Sequence, residues 1–548
     1  MSTSENHAGS TWLPGLAISA FAGVVYLALR PPLFNYDGYV YRLQALDFFR
    51  AEHLNPHHLL WYPVQIALVK LTELAAVHNT VSFQIFGILV NAFTLFLFWQ
   101  LLLKTSENRV FASAALLFVA FSPKFWHLGL QNQPYPLVFL ATVLFMRAWC
   151  LQHGEILSSR RLLAAGLAAA TAAFFQQAAV LLIPGGVLGL MVSRGSLSSQ
   201  RLARALLWGG CASALVLAVY VGLGLASAAT DLGGFPRWSM RYLESQHSLQ
   251  IKLPESFAKS IMGMFRSVAQ NYRLEEYLRS NFSPEAVFRL FEALGIAGCA
   301  AVLWILRRTG LRAPFLFLMR NHLLFAVCLF NVAAWAAFVF AWEPSGYYWS
   351  LNLFPLLVCT GLLLRGRSAR VPVVIFFLLS VWNVYSNHSR DKIDSVNFPE
   401  PLVESIQRQM GSRDIFIVLG RDWFADIDYD LLFTCLDRLP RSPGRAILDR
   451  ILGEQPPGDW RDRLREEIES TLDEGGRVLV AGHVLWAGSY EDLPQAKDPF
   501  GEFVHEEYKG LDAALLQRQV EEFFDSYELS ESPFKLGSDD FLELHRSQ

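Results

Sequence analysis

Asp37 stands in Phe34-Asn35-Tyr36-Asp37-Gly38-Tyr39-Val40-Tyr41-Arg42, directly after the first long apolar segment of the chain. An ionisable group beside hydrocarbon costs free energy unless it is solvated, paired or used. A carboxylate whose pKa such surroundings raise can take a proton near neutral pH. The plainer alternative is a helix N-cap, because Asp37-Gly38 also opens an amphipathic segment that continues through Arg50. A second acid, Glu343, ends an apolar run and immediately precedes Pro344. There an unpaired carboxylate is expensive, and a salt bridge to a loop arginine is its bland explanation.

Cations and histidines complete the set. Arg42, Lys124, Arg237 and Arg241 could hold an anion as charge develops on it. Arg237 and Arg241 fit anionic headgroups as well, and Lys124 fits a side chain snorkelling from a helix end. His57 and His58 lie in Asn55-Pro56-His57-His58-Leu59-Leu60-Trp61-Tyr62-Pro63. Adjacent residues point to different faces of a helix, so helical geometry alone does not bring both rings to one cleft.

The elements that position these residues are apolar. Of 548 residues 53% are hydrophobic, with 42 Phe and 15 Trp, and the mean hydropathy is +0.29. That composition describes a chain that crosses a membrane repeatedly. The net charge of −3 conceals a division, since residues 1–386 hold 28 Lys/Arg and 15 Asp/Glu whereas 387–548 hold 18 and 34. A basic membrane domain, 1–386, is therefore followed by an acidic soluble domain, 387–548.

Apolar stretches suited to a hydrocarbon layer of about 30 Å recur near 12–30, 82–103, 110–129, 134–151, 162–177, 178–193, 205–227, 287–306, 321–342, 346–364 and 371–386. Eleven spans are expected, the two between 162 and 193 separated by a polar turn at Phe174-Phe175-Gln176-Gln177. With the amino terminus in the cytoplasm, every short inner loop is basic, as the positive-inside rule requires. An odd number of spans then puts the carboxyl-terminal domain outside. Met1 to Ser10 carries no Lys or Arg and no small-residue cleavage site follows the first apolar run, so the first span is expected to be retained.

Two outer loops, 31–81 and 228–286, exceed simple connectors. The first contains an apolar stretch broken by Lys70 and Glu73, which reads as an interfacial or re-entrant helix. The second carries seven Lys/Arg, against the usual bias for an outer loop, and calls for an anionic partner. In the soluble domain, residues 414–420 and 477–482 read as buried strands and 460–472 and 511–527 as amphipathic helices, giving a small α/β domain. No glycine pattern there makes a nucleotide loop, and aspartates 422, 426, 428 and 430 lack the Gly and terminal Glu of an EF-hand. No Cys/His spacing suggests a zinc site.

One retained span, an acid in the first outer loop, interfacial helices with a His/Pro/aromatic segment, many further spans and an outer soluble domain together resemble the GT-C superfamily. These are integral-membrane glycosyltransferases, among them the protein O-mannosyltransferase and lipid A aminoarabinose transferase families, that use polyprenyl-phosphate-linked sugars. The resemblance covers about residues 12–386. It implies a mainly α, polytopic bundle of about eleven transmembrane helices with an extracytoplasmic α/β domain.

Asp37 matches the first-loop acid used by such enzymes as general base or to hold the acceptor, and residues 55–62 are similar to their His-Pro-Pro-Leu-aromatic segment with the order changed. Ser122-Pro123-Lys124-Phe125-Trp126 and Gln131-Asn132-Gln133-Pro134-Tyr135 resemble the second outer loop, with amides where many relatives carry another acid. Glu343-Pro344-Ser345-Gly346-Tyr347 resembles a Glu-Pro-x-x-Tyr element, with Gly346 in place of the usual arginine.

The resemblance implies an inverting sugar transfer from a polyprenyl-phosphate donor to a lipid, glycan or protein acceptor at the outer face of the plasma (inner) membrane. Asp37 and Glu343 would be the catalytic acids. Arg42, His57, His58, Lys124, Arg237, Arg241 and Tyr347 would bind substrate. The missing second-loop acid puts a two-carboxylate or metal-dependent site in doubt; no cofactor is assigned and a divalent cation is left open. Nothing points to nucleic acid. A transporter or flippase of lipid-linked saccharides is the alternative from another class, which should show inverted repeats and polar groups in mid-span. A polymerase or ligase would use two lipid-linked substrates.

Overall fold

The computed structural model describes residues 12–30, 56–74, 79–150, 157–193, 198–226, 253–269, 281–308, 310–341, 346–396, 413–418, 444–447, 460–481, 513–536 and 539–546, together with positions 235, 277, 278 and 484. The chain divides into two compact units, Met1–Ser395 and Val396–Gln548.

The first unit is helical. Its helices are α1 (Leu13–Ala28), α2 (Trp61–Leu74), α3 (Asn79–Ser106), α4 (Arg109–Phe121), α5 (Pro123–Leu130), α6 (Tyr135–Trp149), α7 (Ser159–Phe175), α8 (Leu182–Val192) and α9 (Ser199–Ala226). They continue as α10 (Leu253–Ala269), α11 (Pro284–Arg308), α12 (Arg312–Asn321), α13 (Leu323–Ala341), α14 (Gly346–Leu363) and α15 (Arg370–Val396). Each of the eleven expected apolar stretches is helical, and so is the stretch broken by Lys70 and Glu73, as α2. Three helices, over Val81–Ser106, Ser199–Leu225 and Leu323–Ala341, are individually long and apolar enough to cross a membrane among the described residues. The α4–α5 pair, bent by 54°, makes a fourth if it counts as one span.

The bend has a local cause. Ser122 leaves the helical conformation, its hydroxyl donates to Val119 O at 2.9 Å, and Pro123 starts α5 without the N–H that a continuous helix would need. Further along, Gln176 takes an extended conformation (φ −149°, ψ 108°), which ends α7; a 3₁₀ turn, Gln177–Leu181, then leads into α8. The polar turn expected inside this apolar run is therefore a real break.

Close packing inside hydrocarbon favours small residues, because helix association there depends on contact and not on water exclusion. On α8, Gly185 and Gly189 lie four residues apart and face α13. A Cβ on Gly185 would come within 2.5 Å of the Asn331 side chain, and one on Gly189 within 2.8 Å of the Val327 backbone. The outward surfaces are apolar: Val371, Val374, Phe377, Leu378 and Val381 of α15 are all exposed. Such a face suits lipid.

Arg312–Asn321, expected as part of a connecting loop, forms α12 and packs on α13. The loop after residue 228 contains the strongly amphipathic α10, which packs against α5, α11, α13 and α14.

The second unit contains β1 (Ile415–Val418), β2 (Gly444–Ile447), α16 (Trp460–Asp473), β3 (Val478–Ala481), α17 (Ala513–Phe524), β4 (Tyr527–Leu536) and β5 (Asp539–Arg546). The sheet order is β2-β1-β3-β5-β4, with β2, β1 and β3 parallel and β5 and β4 antiparallel to their neighbours. Asp414, nearly buried at the start of β1, accepts from the Arg477 backbone N–H at 2.8 Å and from its guanidinium at 2.8 and 3.1 Å, fixing the β1–β3 register.

Gly189→Val should lower stability by about 1–3 kcal/mol through forced separation of α8 and α13, read as an earlier thermal unfolding transition in detergent. Gly222→Ala on α9, where an added Cβ meets nothing within 4 Å, should leave the transition in place. Equal transitions for wild type and Gly189→Val would contradict the close approach.

Candidate functional site

The histidine segment folds as a single 3₁₀ turn, Pro56–His58, leading into α2. What anchors it is the end of α7. A helix leaves its last carbonyls without intrahelical partners, and in a dry interior each must find another donor. Here three successive carbonyls are met by distant residues. Ala173 O accepts from the Tyr220 hydroxyl at 3.1 Å, Phe174 O from the Leu60 backbone N–H at 3.0 Å, and Phe175 O from His58 Nδ1 at 2.8 Å.

These bonds assign protons. A carbonyl only accepts, so His58 carries its hydrogen on Nδ1 and keeps a lone pair on Nε2. Burial, reinforced by the adjacent His57, holds His58 well below the ordinary imidazole range, against the opposing effect of the Phe175 hydrogen bond. Burial likewise lowers His57 to about 4, opposed by a Gln177 amide. Both rings are therefore neutral near pH 7.

The two rings lie 4.6 Å apart, their planes inclined at 65°. Their partners differ, as expected for adjacent residues. His58 turns toward Phe175 and Tyr135, the Tyr135 ring being 6.4 Å away. His57 Nε2 instead meets the Tyr348 hydroxyl at 3.3 Å and the Gln176 amide nitrogen at 3.2 Å. Tyr348 is buried in the first turn of α14, stacked on Trp335 and edge-on to Phe338, which locks its hydroxyl on the histidine. One imidazole nitrogen cannot satisfy two donors fully. Gln176 Oε1 is buried without a partner, so the turn retains hydrogen-bonding capacity for a further polar group.

A layer of buried amides adjoins the α5–α6 connection. Gln131, Asn132 and Gln133 are all buried, and the Gln65 amide of α2 donates to Asn132 Oδ1 at 3.0 Å. Lys124 is buried in the first turn of α5. Close approach of α3 to α5 shapes this region, since a Cβ on Gly129 would collide with the Asn91 amide, which donates to Phe125 O at 3.2 Å.

Of the residues singled out from the sequence, His57, His58 and Lys124 are thus described in full. Tyr347 is the second residue of α14 and is described in its backbone only, while its neighbour Tyr348 reaches His57. Asp37, Arg42, Arg237, Arg241 and Glu343 lie outside the described residues. The sequence reading missed the joint role of Gln176 and Tyr348. Gln176 was visible as half of a polar pair interrupting an apolar run, whereas which of two adjacent tyrosines turns inward depends on helix phase. Among the described residues, no group of three or more His, Cys, Asp or Glu is placed to hold a metal ion.

No family model matches the sequence, and no curated protein matches it either. Solved structures do match. ArnT from Cupriavidus metallidurans, bound to undecaprenyl phosphate, superposes with a TM-score of 0.55 over 98% of this chain and 98% of its own at 11% identity. The archaeal oligosaccharyltransferase AglB from Archaeoglobus fulgidus aligns over 97% of this chain and 74% of its own, with a TM-score of 0.45 and 12% identity. The Pmt1-Pmt2 protein O-mannosyltransferase of S. cerevisiae aligns over 38% of this chain, a third (33%) of its own length, with a TM-score of 0.32 and 13% identity. The chain has a GT-C-like fold.

His58→Ala should cost about 1–3 kcal/mol by leaving Phe175 O unmet, and His58→Asn, which restores a donor, should recover part of the loss in thermal unfolding. The pH dependence follows from the lowered imidazoles. Below the ordinary value of 6.5 the unfolded chain takes up protons that the folded turn refuses, so stability contributed above 6.5 is lost as pH falls toward about 4. Replacing both histidines by Asn should flatten this limb of the stability–pH curve; an unchanged slope would show that the rings are not held neutral.

Proposed function

We propose that this protein is a membrane glycosyltransferase that moves a sugar from a polyprenyl-phosphate donor to an acceptor on the extracytoplasmic side. The carrying observation is the end-to-end correspondence of the chain with a structure that holds undecaprenyl phosphate. Membrane-spanning helices and a buried polar turn at a helix break are consistent with it.

The reaction assigns a task to each group. Asp37 takes the proton of the acceptor hydroxyl, whose oxygen attacks the anomeric carbon from the face opposite the phosphate. The bond between that carbon and the phosphate oxygen breaks, the electron pair leaves with polyprenyl phosphate, and the sugar configuration inverts. Charge accumulates on the departing phosphate, where Arg42, Lys124, Arg237 and Arg241 are the cations available to hold it. Glu343 is the companion acid, and Tyr347 with the His57–His58 turn lines the substrate site. Neutral histidines suit the second task, because they donate or accept hydrogen bonds to sugar hydroxyls without competing for the phosphate charge.

Membranes containing the protein, supplied with radiolabelled polyprenyl-phosphate sugars, should transfer label to an endogenous acceptor. Asp37→Asn should reduce transfer by about 100-fold or more, the usual contribution of a general base. His57→Ala and Tyr348→Phe should weaken transfer while leaving measurable turnover. Equal transfer by wild type and Asp37→Asn would remove Asp37 as the base. Movement of intact lipid-linked sugar across vesicles with no transfer from any donor would replace the enzyme by a transporter.

A further inference from the structure

At the other end of α7, about 24 Å from the histidine turn at 1.5 Å per residue, the bundle carries an open furrow of about 570 Å³ between α7 and α9. The two helices run parallel, with the Trp208 indole N–H donating to Leu162 O at 2.8 Å and the Tyr220 hydroxyl to Ala173 O at 3.1 Å. Between those ties the floor is made of small groups, Gly166 and Ala212, so no side chain fills the space. Its rims are Leu163 and Leu207, 64% and 68% exposed. The furrow is therefore an apolar channel open to the surrounding hydrocarbon, running from Ser158 toward Leu167 and Leu215. Over the α7 residues 158–167 it extends about 14 Å, close to half of a hydrocarbon layer of about 30 Å.

One end of the channel is cationic. Arg204 lines it, with an exposed side chain and no carboxylate partner among the described residues. The local sequence is predominantly basic: residues 155–231 contain Arg160, Arg161, Arg194, Arg201 and Arg204 against Glu155 and Asp231 at the two ends. Arg161 and Arg201 spend hydrogen bonds on the Cys150 and Ser193 carbonyls, which tie down nearby loop ends and leave Arg204 facing the channel mouth. A guanidinium at the mouth of a chain-length apolar furrow matches an anionic phospholipid, phosphate on the cation and acyl chain in the furrow.

The geometry points to a bound anionic phospholipid at this site, with its phosphate against Arg204 and one acyl chain between Leu163 and Leu207 over Gly166. The lipid lies in the leaflet that meets the starts of α7 and α9. It seals a surface that protein side chains leave open and neutralises Arg204, which has no carboxylate partner among the described residues. The site is separate from the histidine turn, and the inference stands independently of the proposed sugar transfer.

Full-length protein in mild detergent should be titrated with phosphatidylglycerol and with phosphatidylcholine of identical acyl chains, bound lipid being counted by native mass spectrometry. Wild type should hold phosphatidylglycerol about five- to tenfold more tightly, the scale of one cation–headgroup contact. Arg204→Gln should erase that preference without shifting the unfolding temperature. Cys211→Phe, which projects a ring into the furrow from an exposed position, should reduce binding of both lipids. Equal affinity of wild type for the two lipids, a preference that survives Arg204→Gln, or lipid binding indifferent to Cys211→Phe would each overturn the assignment.

Discussion

The helical unit depends on how it satisfies the carbonyls where α7 stops. In water, a helix end at Phe175 would be hydrated and of little consequence. Inside a bundle every exposed C=O must be answered by a protein donor or the break is not tolerated. The three answers here come from α9 through Tyr220, from the backbone of Leu60 and from His58. A broken helix thus recruits a loop more than a hundred residues away in sequence and sets its height, tilt and proton positions. The His58 imidazole orientation follows from that backbone requirement.

Neighbouring features serve the same junction. Tyr348 reaches His57 only because α14 begins where Trp335 and Phe338 of α13 can flank its ring. Helix α13 in turn is drawn close to α8 by Gly185 and Gly189, and α8 leaves the very 3₁₀ turn that the α7 break creates. At the α5–α6 connection the buried amides of residues 131–133 are likewise tied across the bundle, Asn132 Oδ1 accepting from Gln65 of α2.

Much of this architecture was legible from one-dimensional patterns because hydrocarbon imposes a simple rule, long apolar runs become helices, and the eleven runs do. The break at Phe174–Gln177 was legible too, since two glutamines are costly in such a run unless the backbone there needs them. Elements without a strong period were not. Helix α12 is a ten-residue piece with Arg312 and Arg320 near its two ends and looks like part of a basic loop, and β2 is four residues long. Strands β4 and β5 carry Glu, Ser, Lys and Asp, with Pro533 at the register shift between Glu531 and Lys535, so β5 is placed by its pairing with β3, and β4 by its pairing with β5, more than by their own propensity. In the site, residue types could be chosen from sequence but partners could not. His57 meets Tyr348 and not a carboxylate among the described residues, a fact of helix phase that spacing leaves ambiguous.

Neutrality of the histidine pair constrains how charge is handled in the proposed transfer. Charging either ring would strip its water on burial, and two imidazolium rings 4.6 Å apart would repel each other, so both stay uncharged as long as the turn is packed. Neither can then contribute a full positive charge to a departing phosphate. That task falls to guanidinium or ammonium groups, which keep their charge near neutral pH, and the segment 228–286 holding Arg237 and Arg241 is rich in them. The division also explains why the turn can be buried at all: a site that uses its histidines for direction and not for charge can seat them against backbone carbonyls, whereas a cationic pair would have to remain in water.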